Sequence, residues 1–95
     1  MITNLIITAP TMRRLAYIFN YMCDILHDHV VRCSRIGMEI VVCDIKTKEI
    51  FTIRFMTEEK YDKQARLGNR ARVMTSDYLE NQLDKLHILK KLKEG

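Results

Sequence analysis

Residues 4–11 have the sequence Asn4-Leu-Ile-Ile-Thr-Ala-Pro-Thr11, an apolar run followed directly by residues that begin helices. The run predicts a short buried strand, and Thr8 or Thr11 can cap the next helix with Pro10 in its first turn. A second junction of this kind lies at Ala71-Arg-Val-Met-Thr-Ser-Asp77. Strand-to-helix junctions are where α/β proteins hold phosphates and metals. Neither junction contains glycine, so the sequence predicts an α/β domain without the usual nucleotide-binding loop.

The segments between and after the two junctions complete a predicted α/β fold. Half of the helical wheel from Met12 to about His27 is apolar, as expected for a helix packed on a sheet. Further strands are predicted at 30–36 and 38–45 around a turn or bulge at Gly37, at 50–55 after a turn at 46–49, and at 71–75. A short basic helix is predicted from Thr57 to Leu67-Gly68, and a final helix from Ser76 or Asp77 with a leucine stripe at Leu79, Leu83, Leu86, Leu89 and Leu92.

These elements predict a single domain over residues 1–95 with two layers. The sheet is mixed, with about five short strands and an antiparallel meander. Two long helices cover one face, and the short basic helix lies at the rim. A chain of 95 residues that is 47% hydrophobic is large enough for one core only.

The composition favours a cytoplasmic protein. No apolar run approaches the roughly 18 residues of a membrane span, and the N-terminus lacks a signal-peptide pattern, so we expect the mature chain to begin near Met1 and not to contact membranes. Cys23, Cys33 and Cys43 form no Cys-x-x-Cys pair, which favours reduced cysteines packed in the core.

The positive charge is concentrated between residues 60 and 72. This stretch holds five basic residues against Asp62 alone and so accounts for the whole net charge of +4. We predict that it binds an acidic partner, nucleic acid first, although a solvated surface gives the same pattern. The five residues are Lys60, Lys63, Arg66, Arg70 and Arg72.

A second candidate surface lies on the polar side of the first helix. Arg13 and Arg14 lie near the helix N-terminus, where cations are electrostatically unfavourable and an anionic partner would relieve the conflict. Tyr17 and Tyr21 share this side, and Tyr and Arg are residue types that anchor interfaces. Alternatively, the tyrosines only cover the edge of the sheet.

Two constellations allow metal chemistry. Asp44-Ile-Lys46 ends an apolar strand and resembles the Asp/Glu-x-Lys strand of restriction-endonuclease-like folds; with Asp28 it could hold a divalent metal for nucleic-acid cleavage. The same residues also suit a hairpin turn. Cysteine and histidine, the residue types that bind zinc, also occur together at Cys23, His27, His29 and Cys33. Their spacing does not match a zinc site and favours the exposed end of a helix.

Taken in order, Ile6-Ile-Thr-Ala-Pro-Thr11, the meander, Arg66-Leu-Gly68 and Arg72-Val-Met-Thr-Ser-Asp77 resemble the middle of a P-loop ATPase core, as in phage terminases and related helicases. The resemblance implies a phage or mobile-element setting. In that family a later strand ends in Asp-Glu, which orders magnesium and water. Here Tyr78 follows Asp77, and Gly-x-x-x-x-Gly-Lys-Ser/Thr is absent, so the resemblance does not extend to ATP hydrolysis.

The sequence thus favours a small non-catalytic binding or regulatory protein, without cofactor or metal. Its basic surface would engage nucleic acid or a nucleic-acid-handling protein. Two alternatives stay open: a compact metal-dependent nuclease using Asp28, Asp44 and Lys46, and a structural subunit that forms a homodimer through the leucine helix at 79–92.

Overall fold

The structure is a computed structural model that describes residues 2–65, 71–80 and 84–94. Within these residues the chain forms five strands and four helices. In chain order they are β1 Ile2–Ala9, α1 Met12–Ile25, β2 Val30–Ser34, β3 Glu39–Cys43, β4 Ile50–Thr57, α2 Glu58–Ala65, β5 Arg72–Thr75, α3 Ser76–Glu80 and α4 Lys85–Glu94.

The five strands form one mixed sheet in the order β2-β3-β4-β1-β5. Strand β1 runs parallel to β4 and β5, while β2, β3 and β4 are antiparallel neighbours. The predicted α/β fold, with five strands and an antiparallel meander, is confirmed. The carboxyl ends of β1, β4 and β5 each lead into a helix, so three junctions share one edge of the sheet.

The main core lies between one face of the sheet and helices α1, α3 and α4. Alternate β4 side chains, Phe51, Ile53 and Phe55, point into it, as their period-2 pattern predicts. Helix α1 contributes Leu15, Ile18, Phe19 and Met22, and the C-terminal helices contribute Leu79, Ile88, Leu89 and Leu92.

Helix α2 contacts β1 and β4. These strands bury Ile6 and Met56, which alternate with core residues and therefore face the opposite side of the sheet. The connections from β1 to β4 and from β4 to β5 run in opposite directions across the sheet. The right-handed crossover rule favours α1 and α2 on opposite faces of the sheet, and α2 itself has no buried residue.

Several predicted boundaries change in the structure. Thr11 caps α1 by accepting a hydrogen bond from the Arg14 N–H at 3.1 Å, so Pro10 precedes the cap instead of lying in the first turn. Helix α1 ends at Ile25, before His27. Thr57 accepts the Lys60 N–H at the start of α2, as predicted, while the predicted end at Leu67-Gly68 lies outside the described residues.

Gly37 lies in the turn of the hairpin between β2 and β3, and the bulge of this hairpin lies elsewhere, so of the two predicted alternatives Gly37 takes the turn. The Gly37 N–H donates to Ser34 Oγ at 3.0 Å, but the positive φ of 51° belongs to Met38. The bulge falls between Val30 and Arg32 in the edge strand β2.

The predicted final helix consists of two segments, α3 and α4. Asp84 begins the second segment, because its carboxylate accepts the His87 N–H at 3.0 Å in the manner of an N-cap. Leu83 lies outside the described residues, and Leu86 is 67% exposed. The predicted leucine stripe is therefore wrong at Leu86, and Ile88 takes the buried position instead.

Candidate binding groove

A groove of about 610 Å³ runs between α4 and two turns of the sheet. Helix α4 provides one wall, and the turn after β3 provides the other. Asp28 and His29, in the turn before β2, close one end. The lining residues are Asp28, His29, Asp44, Ile45, Lys46, Thr47, Lys85, Leu86, Leu89, Lys90 and Lys93.

Ion pairs fix α4 along this groove at both of its ends. At the N-terminal end, Lys85 Nζ lies 3.0 Å from Asp28 Oδ2. At the C-terminal end, Lys93 Nζ lies 2.5 Å from Asp44 Oδ2 and 3.4 Å from Glu49 Oε1. Since a helix rises about 1.5 Å per residue, the two tethers are about 12 Å apart, and the groove extends between them.

Asp44 is the most constrained polar residue of the groove, with a side chain only 8% exposed. Its second carboxylate oxygen accepts the Lys46 N–H at 3.0 Å, and its carbonyl accepts the Lys48 N–H at 2.7 Å. The hydrogen bond from Lys93 lowers the pKa of Asp44 despite its burial, and the same contact raises the pKa of Lys93. Asp44 therefore joins the turn after β3 to the end of α4.

The opposite end of the groove is built from the turn between α1 and β2. The hydrogen bond from Lys85 lowers the pKa of Asp28, and His27 at 2.8 Å adds to the effect. His29 Nδ1 lies 3.0 Å from the Cys43 carbonyl oxygen and donates to it, because a carbonyl only accepts. These contacts attach the turn to β3 and α4.

Between its charged ends the groove is apolar and open. Leu86 is 67% exposed and Ile45 is 54% exposed, while Leu89 forms the buried floor. Lys46 and Lys90 stand beside these side chains. In the described part of the chain Lys46 makes no ion pair, and Lys90 reaches only Glu94, at 4.0 Å. An apolar strip flanked by lysines suits a partner that is both aliphatic and acidic.

The three residues of the nuclease alternative, Asp28, Asp44 and Lys46, all line this groove. Both carboxylates are, however, occupied by lysines of α4. Among residues 2–65, 71–80 and 84–94, no group of three or more His, Cys, Asp or Glu side chains could hold a metal ion. The four possible zinc ligands of the sequence analysis do not form a metal site either. Two of them are close together, since the Cys23 and Cys33 sulfurs lie 3.9 Å apart.

The predicted basic patch is only partly a surface. Lys60 and Lys63 are exposed on α2, and Lys63 pairs with Glu59 at 3.3 Å. Arg66 and Arg70 lie outside the described residues. Arg72 is half-buried, and its guanidinium donates to the Lys93 carbonyl at 3.1 Å and to the Leu92 carbonyl. Its contacts thus give Arg72 a structural role at the C-terminal end of α4.

The four residues predicted on α1 do form one side of that helix. Tyr17 is 57% exposed, and its ring lies parallel to the half-buried ring of Tyr21, with centroids 6.4 Å apart. Arg14 pairs with Glu80 of α3, so its charge is compensated within the chain. Arg13 is exposed, and in the described part of the chain no ion pair involves it.

Sequence reasoning missed the contribution of α4 to the groove. From the sequence alone, lysines at the end of a helix are explained by the negative end of the helix dipole, with no other partner needed. Lys91 instead lies 4.0 Å from the ring centroid of Tyr78, and Lys93 pairs with Asp44 and Glu49. No local pattern could indicate these contacts, because the partners are remote in sequence.

No family model matches the chain, and comparisons with curated proteins and with solved structures return no match. The resemblance to a P-loop ATPase core therefore stays a prediction. Within the described residues, no helix has the combination of length and apolarity that a bilayer crossing requires.

Proposed function

We propose that this chain is a small non-catalytic binding protein that holds an acidic, aliphatic segment of a partner protein in the groove beside α4. The observation that carries the proposal is the exposure of Leu86 and Ile45 between Lys46 and Lys90. Exposed aliphatic side chains lose contact with water when a partner covers them, which favours binding.

Charge supports an acidic occupant. The ion pairs at the two ends of the groove already neutralise Asp28 and Asp44, so these carboxylates repel an acidic segment less than free carboxylates would. Lys46 and Lys90 are left to attract it. The partner would place aliphatic side chains on Leu86 and Leu89 and carboxylates next to the two lysines.

A protein segment suits this groove better than nucleic acid does. Nucleic-acid-binding surfaces commonly combine phosphate contacts with aromatic stacking, but the described lining contains no Phe, Tyr or Trp. A partner that itself handles nucleic acid, as the sequence suggested, is compatible with this mode. The proposal also includes a phage-like or regulatory role and a cytoplasmic location.

The binding test uses a fluorescein-labelled synthetic peptide of alternating leucine and glutamate, measured by fluorescence anisotropy. We expect saturable binding that weakens with added salt and weakens about tenfold in Leu86→Asp and in Lys90→Glu, equivalent to about 1.4 kcal/mol each. Lys60→Glu is the matched control, because Lys60 lies on α2, away from the groove. Equal binding by all these proteins, or no binding, contradicts the proposal.

A serine-for-leucine peptide separates aliphatic recognition from charge attraction alone. We expect it to bind at least tenfold more weakly than the leucine peptide. If both peptides bind equally well, the lysines attract acidic chains without a docking site.

Nucleic-acid binding is the second candidate, favoured by the exposed Tyr17 and Arg13 on α1 and by Lys60 and Lys63 on α2. A labelled oligonucleotide would then bind with a steep salt dependence. Charge reversal at Lys60 and Lys63 would weaken it, whereas Leu86→Asp would not. That outcome would show that the partner binds at Lys60 and Lys63 and not in the groove.

The other two alternatives make different predictions. A nuclease would require magnesium or manganese and would lose cleavage in Asp44→Asn. A homodimer through the leucine helix would need Leu79, Leu89 and Leu92, which are buried in the chain's own core. An apparent mass in solution that rises with protein concentration would support a homodimer. A monomeric mass at high concentration would exclude it.

A further inference from the structure

Two of the three cysteines lie side by side although ten residues separate them in sequence. Cys23 is near the end of α1 and Cys33 is in the edge strand β2, and their sulfurs are 3.9 Å apart. Both are free thiols. The sequence favoured core packing for the cysteines; Cys23 is half-buried and packs against the core, but Cys33 is exposed.

The two thiols differ in their access to solvent. Cys33 faces solvent, so an incoming reagent meets it first. Burial, with Cys33 as neighbour, raises the pKa of the Cys23 thiol to about 11, and the nearby Arg35 guanidinium partly opposes the shift. Cys23 is thus protonated near neutral pH, and because it is half-buried it meets the neighbouring Cys33 sulfur more readily than a reagent in solution.

We propose that Cys23 and Cys33 form a dithiol site that undergoes exchange with low-molecular-weight disulfides of the glutathione class and closes to an intramolecular disulfide. A disulfide requires sulfurs about 2 Å apart, so the sulfurs must approach by about 2 Å, a distance that side-chain rotation at two adjacent positions can provide. The positive charge of Arg35, whose guanidinium is close enough to act on the Cys23 thiol, suits the carboxylates of glutathione.

The exchange has two steps. The Cys33 thiolate attacks one sulfur of oxidised glutathione; the glutathione S–S bond breaks, a mixed disulfide forms, and one glutathione thiolate leaves. Cys23 then loses its proton to solvent and attacks the Cys33 sulfur, which releases the second glutathione thiolate. The two thiolates take up the two protons, so two protein thiols are oxidised and one glutathione disulfide is reduced to two glutathiones.

The test incubates the folded protein with oxidised glutathione, then unfolds it in denaturant that contains iodoacetamide, so that every remaining thiol is alkylated, and measures the mass. We expect the number of alkylated cysteines to fall from three to one, with no glutathione retained. The remaining thiol is Cys43, which lies on β3 with its sulfur near the Asp44 carbonyl. Cys43→Ser is the matched control and should lose both other thiols as the wild type does.

Single variants separate the two steps. Cys23→Ser should stop at a stable Cys33–glutathione adduct, whereas Cys33→Ser should retain its Cys23 thiol. Circular dichroism of the reduced variants shows whether each remains folded, and Cys→Ala replacements substitute for any that does not. A wild type that stops at the adduct, retains three thiols or forms covalent dimers overturns the proposal.

Discussion

Asp44 illustrates how one residue can combine a local and a remote role. Its carboxylate accepts a hydrogen bond from the Lys46 N–H within the turn after β3. It also forms an ion pair with Lys93 of α4. Because the side chain is almost fully covered, both contacts operate away from water, where charge-assisted hydrogen bonds are stronger. The residue was predicted as a metal ligand or a turn residue, and its contacts are those of a turn residue.

Replacing Asp44 with Asn should destabilise the protein. The amide can still accept the Lys46 N–H, but it loses the charge that pairs with Lys93. We expect the free energy of unfolding near neutral pH to fall by about 1 to 3 kcal/mol, measured by urea denaturation. Asp62→Asn on the exposed side of α2 is the control and should change stability by less than about 0.5 kcal/mol.

The stability difference between the wild type and Asp44→Asn should depend on pH. Since Lys93 lowers the folded-state pKa of Asp44, its stabilisation is complete above the unfolded-state value of about 3.9 and is lost as the pH falls through the folded-state value. The stability difference between wild type and Asp44→Asn should therefore be constant between about pH 5 and about pH 7 and narrow below about pH 4. A difference that grows on acidification would contradict this assignment.

Helix α4 depends on its neighbours at the scale of the element. A ten-residue helix is marginal by itself, so its order must come from packing and from contacts at its ends. Ile88, Leu89 and Leu92 pack into the core, Asp84 caps the start, and Arg72 covers the carbonyls at the end. The position of α4, and with it the shape of the groove, therefore depends on these contacts.

Arg72→Ala should loosen α4 because two carbonyls near its end lose their donor. We expect the free energy of unfolding to fall by about 1 to 3 kcal/mol. Amide hydrogen exchange should accelerate relative to the wild type, and more in α4 than in the other elements. Arg32→Ala is the matched control, since Arg32 makes an exposed ion pair with Glu39 that should contribute less than about 1 kcal/mol. If Arg72 were a binding residue instead, its removal would leave stability unchanged and weaken only partner binding.

On the scale of the whole molecule, one cluster of buried side chains joins the sheet to α1, α3 and α4. Elements that share a core unfold together in small domains, so we expect one cooperative transition. Tyr17 and Tyr21 on α1 and Tyr78 on α3 make near-ultraviolet circular dichroism a reporter of tertiary packing.

Ile18→Val tests this cooperativity with a small cavity in the buried side of α1. We expect a loss of about 1 kcal/mol, with the near- and far-ultraviolet transitions shifted together. Separate midpoints for the two signals would show that α1 and the sheet unfold independently and would contradict a single domain.

The amino-acid sequence alone determined most of the elements of this protein, because period-2 and helical apolar patterns are set by backbone geometry that acts over a few residues. Phe51, Ile53 and Phe55 defined β4, and the start of α1 was predicted at Thr8 or Thr11, of which the structure selects Thr11. The tertiary structure alone decided which distant residues meet: Lys93 with Asp44, Arg72 with the end of α4, and Cys23 with Cys33. These contacts depend on strand order and helix packing, which bring together residues that no local pattern relates.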